Sequence, residues 1–380
     1  MPERRPRVLV CHPSPDVYGA DLMLVRTVAA LRRRGWDTLV TVPEDGPLLP
    51  RLRRTGSPVR LLPAPVLRKS LLSPLGLART VLTAPVDLVR LVRAVRALRP
   101  DVVYVNTLTL PHWLAAGRLA GVPVVCHVRE LESEVAPLVA WCLVAPLRLA
   151  SRVVANSRAT AAFLRRHHPR LAPRTDVVHN GFDFPPGPGP GPNGPRPRVA
   201  LVGRLSPRKG QDVAVRAVAA LARRGRTAEL DLAGSVFPGY EWYEQELRDL
   251  AAELGVAEHV RFLGYVDDVW PVLAEADVVV VPSRLEPFGS VAVEALAAAR
   301  PVVVSDVGGL PEIAAGEAAA SVVPPEDPEA LADAVAAAAD LARTRPDVTA
   351  ASGASVRRRF GRDRYDDEVV ASLRRSMRRG

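Results

Sequence analysis

Residues 199–223 read VALVGRLSPRKGQDVAVRAVAALAR. A β-branched apolar run, Val199 to Val202, stops at Gly203, and from Gln211 to Arg223 the apolar residues return at helical spacing. The stretch therefore reads as strand, turn, helix. Such a turn, with glycines at 203 and 210 and cations at Arg204 and Lys209, sets backbone N–H groups and two positive charges where a phosphate can sit. Lys209 stands out because 49 of the 51 basic residues are Arg and only Lys69 and Lys209 are Lys, so a compact ammonium is expected to matter there. The plain alternative is an ordinary basic connection.

Outward from this unit the same alternation recurs. Ahead of it come Arg7 to Cys11, Thr38 to Val42, Val102 to Val105, Val122 to His127, Val153 to Ala155 and Asp176 to Val178, separated by amphipathic stretches such as Leu22 to Arg33. After it come Glu229 to Ala233, Val260 to Leu263, Asp277 to Val281 and Pro301 to Val304, with a helix at Tyr243 to Glu253. Short apolar runs alternating with helices indicate βαβ units and parallel sheets covered on both faces. The expected fold class is α/β, with two Rossmann-like doubly wound domains in tandem and a ligand cleft between them. The boundaries read as 1–184, a stiff Pro/Gly-rich linker at 185–198 (PPGPGPGPNGPRPR), 199–350, and 351–380. Residues 325–343 read as an acidic, Ala-rich helix. Residues 357–379 read as a basic helix expected to return to the first domain or to a surface.

The composition fits a folded protein: 380 residues, 48% hydrophobic, 51 Lys+Arg and 41 Asp+Glu. The net +10 is unevenly placed. Residues 1–200 carry 29 basic and 13 acidic residues (+16), 201–350 carry 13 and 24 (−11), and 351–380 carry 9 and 4 (+5). Residues 51–100 alone hold eleven basic residues and one acid, Asp87, so an anionic partner is expected for the first domain. Abundant Arg, Ala, Pro and Val fit a bias toward GC-rich codons, which explains the choice of Arg but not its placement. Cys11, Cys126 and Cys142 make neither a metal pattern nor a disulfide framework. The start, Met-Pro-Glu-Arg-Arg, lacks a signal-peptide core, and the longest uncharged apolar stretch, Val135 to Leu147, contains Pro137 and Pro146. The expected location is cytoplasmic, at most peripheral at the inner face of a membrane.

Two further clusters carry chemistry. Glu286-Pro-Phe-Gly-Ser-Val-Ala-Val-Glu294 follows a buried strand, with Pro287 and Gly289 holding its start out of the helix. Two carboxylates near a helix N-terminus, with a glycine that lets the backbone approach closely, suit a ligand with both hydroxyls and phosphates. Ser305-Asp-Val-Gly-Gly-Leu-Pro-Glu312 ends another strand in a Gly-rich turn. In the first domain, Tyr18-Gly-Ala-Asp21, Cys126-His-Val-Arg-Glu130 and Val178-His-Asn-Gly-Phe-Asp183 lie at strand ends or helix starts on the same side. Asp267-Asp268 reads as a polar loop rather than a metal site.

The ordered set GRLSPRKG, then EPFGSVAVEALAAARPVVVSDVGGLPE, with HNGFD before the linker and YGAD ahead of a helix ending RRRGWD, resembles glycosyltransferase family 4 of the GT-B fold over nearly the whole chain. The resemblance implies retaining transfer of a sugar from a UDP- or GDP-linked donor to a glycan or lipid-linked acceptor, with no metal and no further cofactor. Arg204 and Lys209 would offset the charge of the diphosphate leaving group. Glu286 would contact the donor sugar, Glu294 the ribose hydroxyls, and Gly203, Phe288, Gly289 and Ser290 the phosphates and sugar. The segment Phe262 to Val266 would lie near the nucleobase. Two departures stand out. Arg129 occupies the position where many members carry a first-domain catalytic histidine, while His127, two residues earlier and on the same side of a strand, is an alternative catalytic candidate or a buried structural histidine. Tyr18-Gly19-Ala20-Asp21 carries one glycine where relatives carry two, with Gly19 the candidate contact.

The alternatives are a GT-B sugar-nucleotide epimerase, and a sugar-nucleotide-binding protein without catalysis. Nucleic acid is not expected as a partner, since no reading helix or stacking platform is evident. Leu88 to Leu98, with Arg90, Arg93 and Arg96 at three-residue spacing, has the pattern of a basic amphipathic helix. It marks residues 51–99 as a candidate contact with an anionic membrane, a solvated helix face being the alternative.

Overall fold

Runs of valine with no polar alternation cannot be left with one face in water, and the computed structural model buries them between helices. It describes residues 4–17, 19–67, 74–132, 135–185, 194, 196–236 and 239–378, with 74–82 described by their backbone alone. Tyr18, Lys69 and most of the 185–198 segment lie outside the described residues.

The chain forms two compact units. In the first, β1 (Arg7–Cys11), α1 (Gly19–Arg33), β2 (Asp37–Val42), α2 (Leu48–Arg54), β3 (Val59–Leu61), α3 (Pro74–Leu98), β4 (Val102–Val105), α4 (Pro111–Leu119), β5 (Val124–Val128), α5 (Pro137–Val144), β6 (Arg152–Ala155), α6 (Arg158–His167) and β7 (Thr175–Val177) follow in order. Their seven parallel strands lie in the order β3-β2-β1-β4-β5-β6-β7. In the second, β8 (Arg198–Val202), α7 (Gln211–Arg223), β9 (Glu229–Ala233), α8 (Glu241–Glu253), β10 (Val260–Gly264), α9 (Trp270–Glu275), β11 (Val278–Val281), α10 (Ser290–Ala297), β12 (Val302–Ser305), α11 (Leu310–Ala314), β13 (Ala320–Val323), α12 (Pro328–Thr344) and α13 (Pro346–Arg359) build a six-stranded parallel sheet, β10-β9-β8-β11-β12-β13. Each sheet reverses its winding beside its first strand, between β1 and β4 and between β8 and β11. Those switch points are where ligands bind in open α/β sheets.

The helix read over 357–379 is two helices. α13 ends at Arg359, and α14 (Arg362–Met377) starts after Gly361. The first unit comprises residues 1–182 together with 362–380, and the second 183–361. α14 is fastened to the first unit by side chains from three elements. Arg33 on α1 grips the buried Asp366 through two hydrogen bonds of 2.8 and 2.9 Å. Asp176 on β7 accepts from Ser372 at 2.7 Å and pairs with Arg375 and with Arg152 of β6. Burial alone would raise the Asp176 carboxyl, but Arg152, Ser372 and Arg375 together hold it below the usual range.

Candidate functional site

In the second unit the quoted stretch is a strand, a loop and a helix. The backbone leaves β8 at Gly203, makes a 3-10 turn over Pro207–Lys209, and enters α7 through Gly210 in the left-handed region (φ 70°). A Cβ at Gly210 would stand 2.0 Å from the Pro282 carbonyl oxygen, so only glycine allows the loop to lie against the end of β11. Gln211, fully buried, donates from Nε2 to the Arg204 carbonyl at 2.9 Å and so ties the two ends of the loop together. From outside the loop, Arg284 donates to the Pro207 carbonyl at 2.6 Å and to both oxygens of Asp212 at 2.8 Å. Burial would raise the Asp212 carboxyl, but Arg284 and Tyr243 outweigh it and hold the group low.

This loop meets the second cluster. Lys209 Nζ lies 2.5 Å from Glu286 Oε2, which joins two candidate residues 77 positions apart. Glu286 is 9% exposed, and its carbonyl accepts from Gly309 N at 3.0 Å, so the Gly308-Gly309 turn braces the Glu286–Gly289 loop. Gly289 heads α10 with φ 106°, and a Cβ there would come within 2.5 Å of Leu310. Ser290 is the first helical residue, and Glu294 stands half-buried one turn on. The Phe288 side chain departs from a ligand-contact role. It is 3% exposed and packs edge-to-face on Phe360 at 5.8 Å between centroids, because the turn into α10 aims it at the core. Phe262 is covered by the Arg248 guanidinium at 4.0 Å. Asp268 caps a turn by accepting from Trp270 N at 3.0 Å.

In the first unit the strand ends collect a buried polar chain. His12, just past β1, donates from Nε2 to Asp21 Oδ1 at 2.7 Å and receives Asn106 Nδ2 on Nδ1 at 3.2 Å. Asn106 Oδ1 accepts from Arg129 Nε at 2.9 Å. Arg129, 7% exposed, also donates to Asn180 Oδ1 at 2.9 Å, Thr27 Oγ1 at 3.1 Å and Tyr365 Oη at 3.2 Å. Thr27 spends its own proton on the Met23 carbonyl, so the short contact between Thr27 and Tyr365 is donated by the tyrosine. Among the described residues Arg129 has no carboxylate partner, which is uncommon for a buried guanidinium.

His127 is fully buried beside it. Its Nδ1 accepts from Tyr104 Oη at 2.5 Å and from Arg129 Nη2 at 3.3 Å, which puts the ring proton on Nε2, and Nε2 has no hydrogen-bond partner among the described residues. Burial first, then the Arg129 charge, hold the His127 pKa well below its ordinary value. Gly19 starts α1, and a Cβ there would meet nothing within 4 Å. Among the described residues no group of three or more His, Cys, Asp or Glu side chains is placed to hold a metal ion.

Each half of the chain matches a known family. Residues 19–181 match the glycosyl transferase 4-like domain family and residues 189–351 match glycosyl transferases group 1. A D-inositol 3-phosphate glycosyltransferase of Mycolicibacterium vanbaalenii is 32% identical over 94% of this chain and 85% of that protein. The chain belongs to the family-4-type GT-B glycosyltransferases. The protein of the same description from Saccharomonospora viridis is 36% identical over 60% of this chain, a match that spans only about half of that relative's length (56%). Among solved structures, Anabaena HepE in complex with UDP superposes with a TM-score of 0.79 at 25% identity, covering 97% of this chain and 99% of HepE.

For this glycosyltransferase, sequence reasoning singled out Lys209, Glu286, Gly289, His127 and Arg129 but missed the residues that hold them. Gln211, Asp212 and Arg284 support the loop, and His12, Asn106 and Tyr365 join Asp21 and Arg129. His12 directly follows β1 and Asn106 directly follows β4, so both sit at a switch point. Strand ends read with the sheet order in mind would have pointed to them.

Proposed function

We propose that this glycosyltransferase is a retaining enzyme that moves a hexose from a nucleoside diphosphate, UDP in preference to GDP, to an anionic glycan or lipid-linked acceptor without a metal. The observation that carries the reading is the Lys209–Glu286 pair beside the glycine-headed start of α10. It brings an ammonium, a nearly buried carboxylate and helix N-terminal amides together at a switch point. The UDP complex of HepE supports uridine as the base.

In this reading Lys209 and Arg204 meet the diphosphate, so that positive charge is already in place as the glycosidic bond breaks. The amides at Gly289 and Ser290 add the dipole of α10. Glu286 accepts from a donor-sugar hydroxyl and Glu294 from the ribose. Arg129, buried and with no carboxylate partner among the described residues, answers an anionic group of the acceptor, and its neutral partners fix its orientation without cancelling its charge.

Thermal melting with UDP, GDP, ADP and their sugar conjugates tests the donor. A ligand at a hundred times its dissociation constant stabilises the native state by about 2.7 kcal/mol. UDP and a UDP-sugar should raise the melting temperature, and the loss of that rise in every nucleotide arm would sink the reading. Epimerised donor formed without acceptor would turn the assignment to an epimerase. An unchanged rate of transfer in the presence of a chelator is expected.

A further inference from the structure

Unit 1 carries an apolar hollow of about 490 Å³ away from its strand-end cluster. Its walls are Pro85 and Leu88 of α3, Pro111 and Ala115 of α4, and Pro146 and Leu149 of the 3-10 turn that continues α5. The single polar residue among those lining it is His112, whose pKa is lowered by burial and whose Nδ1 has no hydrogen-bond partner among the described residues. Large apolar side chains stand in solvent on the elements that form these walls. Val86 (73% exposed) and Val89 neighbour Pro85 and Leu88 on α3, and Leu138 (72%) and Trp141 lie on α5, which runs directly into the Pro146–Leu149 wall. Scattered exposed leucines are ordinary, but four such groups on elements around an apolar hollow call for a partner.

The exposed charge on these elements is basic. Arg90, Arg93 and Arg96 lie on the exposed side of α3, and Arg148 stands exposed beside Leu149. The acid of this helix, Asp87, is half-buried and paired with Arg90 at 2.9 Å. Arg93 and Arg148 have no carboxylate partner among the described residues. A second copy meeting this face across a two-fold axis would set arginine against arginine, which disfavours self-association. An aromatic and aliphatic surface with an arginine border fits the boundary layer of an anionic bilayer, where tryptophan sits at head-group level and basic residues meet lipid phosphates.

We infer that this face of unit 1, built from α3, α5 and the Ala145–Leu149 turn, docks on an anionic lipid bilayer, with Trp141 and Leu138 entering the head-group layer and Arg93 and Arg148 on the phosphates. No helix among the described residues is long and apolar enough to cross a membrane, so the attachment is lateral. The inference goes beyond the transfer reading and does not need it.

Flotation of the full chain with phosphatidylcholine vesicles, and with vesicles containing about 30 mol% phosphatidylglycerol, tests it. The chain should float with the anionic vesicles and less so as salt rises. Leu138→Ala/Trp141→Ala and Arg93→Glu/Arg148→Glu should each lower the bound fraction about tenfold, with melting temperature and the response to UDP unchanged. Brominated lipid should quench tryptophan emission in the native chain, and Trp141→Phe should remove that quenching. Failure of the native chain to float, equal flotation with neutral vesicles, or quenching that survives Trp141→Phe would each overturn the inference. So would self-association, or binding of an acidic protein, abolished by the apolar double variant without any vesicle binding. Because the UDP response is read in the same samples, a failed donor assignment and a failed membrane face give different patterns.

Discussion

Lys209 Nζ and Glu286 Oε2 are 2.5 Å apart, with Glu286 nearly buried and Lys209 about a third exposed. The ammonium is thus held at the mouth of the loop by a carboxylate that a more highly charged anion can outcompete. On the proposed reading, a diphosphate arriving at the loop offers more charge than one carboxylate, and its binding would free Glu286 to accept from a hydroxyl.

Removing either partner separates their duties. Lys209→Ala should weaken UDP binding by about 1.5–3 kcal/mol, the range for a hydrogen bond to a charged group, read by titration calorimetry. Glu286→Gln should leave UDP affinity nearly intact while lowering transfer by about a hundredfold. Equal effects of the two substitutions on UDP affinity would contradict this division.

The loop itself is set by Gly210. Alanine there must hold a left-handed backbone and also overlap the Pro282 carbonyl at 2.0 Å. Gly210→Ala should cost at least about 2 kcal/mol by denaturant titration and abolish the UDP-induced rise in melting temperature. A stable variant with native UDP affinity would show that the loop does not need this approach.

The anchoring of α14 can be measured from both sides. Arg33→Ala leaves Asp366, 2% exposed, without its bidentate partner, and should cost roughly 2–3 kcal/mol, because Arg33 itself is partly solvated. Tyr365→Phe removes one acceptor of Arg129 and the donor to Thr27, for about 1–2 kcal/mol. Hydrogen exchange should quicken in α14 and α1 in both variants, and undisturbed exchange in α14 would refute the anchoring.

His127 carries a pH signature. Its folded pKa lies below the ordinary 6.5, so protons favour the unfolded chain. The stability it contributes is complete above about pH 6.5 and is lost progressively as pH falls below that value. His112, also lowered by burial, titrates in the same sense. The difference between the native chain and His127→Gln therefore isolates the His127 share, and the variant should lose stability less steeply between pH 6.5 and about 5. Parallel slopes would count against a buried neutral imidazole.

Much of this architecture could be read in the chain because valine runs such as Val278 to Val281 have no polar face to spare, and glycines at 203, 210 and 289 punctuate them. β3 and β13 escaped notice. They are short edge strands, VRL and ASVV, with exposed residues where a central strand would be apolar. The break at Gly361 was hidden because the flanking residues are basic and helix-forming on both sides. The supports of the sites, Arg284 on Asp212 and His12 on Asp21 and Asn106, are long-range or cross-strand pairings. They become visible only once the sheet order is known.

The return of α14 fixes an order of events during synthesis. Everything from 183 to 361 is interposed between the bulk of unit 1 and the helix that covers part of its core, where Tyr365, Val369 and Leu373 are buried. Unit 2 is contiguous and can fold as it leaves the ribosome, whereas unit 1 must wait, with Arg129 lacking its tyrosine and Arg33 its aspartate, until residues 362–378 have been made. In a chain cut short before that point Arg129 would lack one of the partners that hold it, so the guanidinium proposed to meet the acceptor is fully seated only in a chain translated through α14.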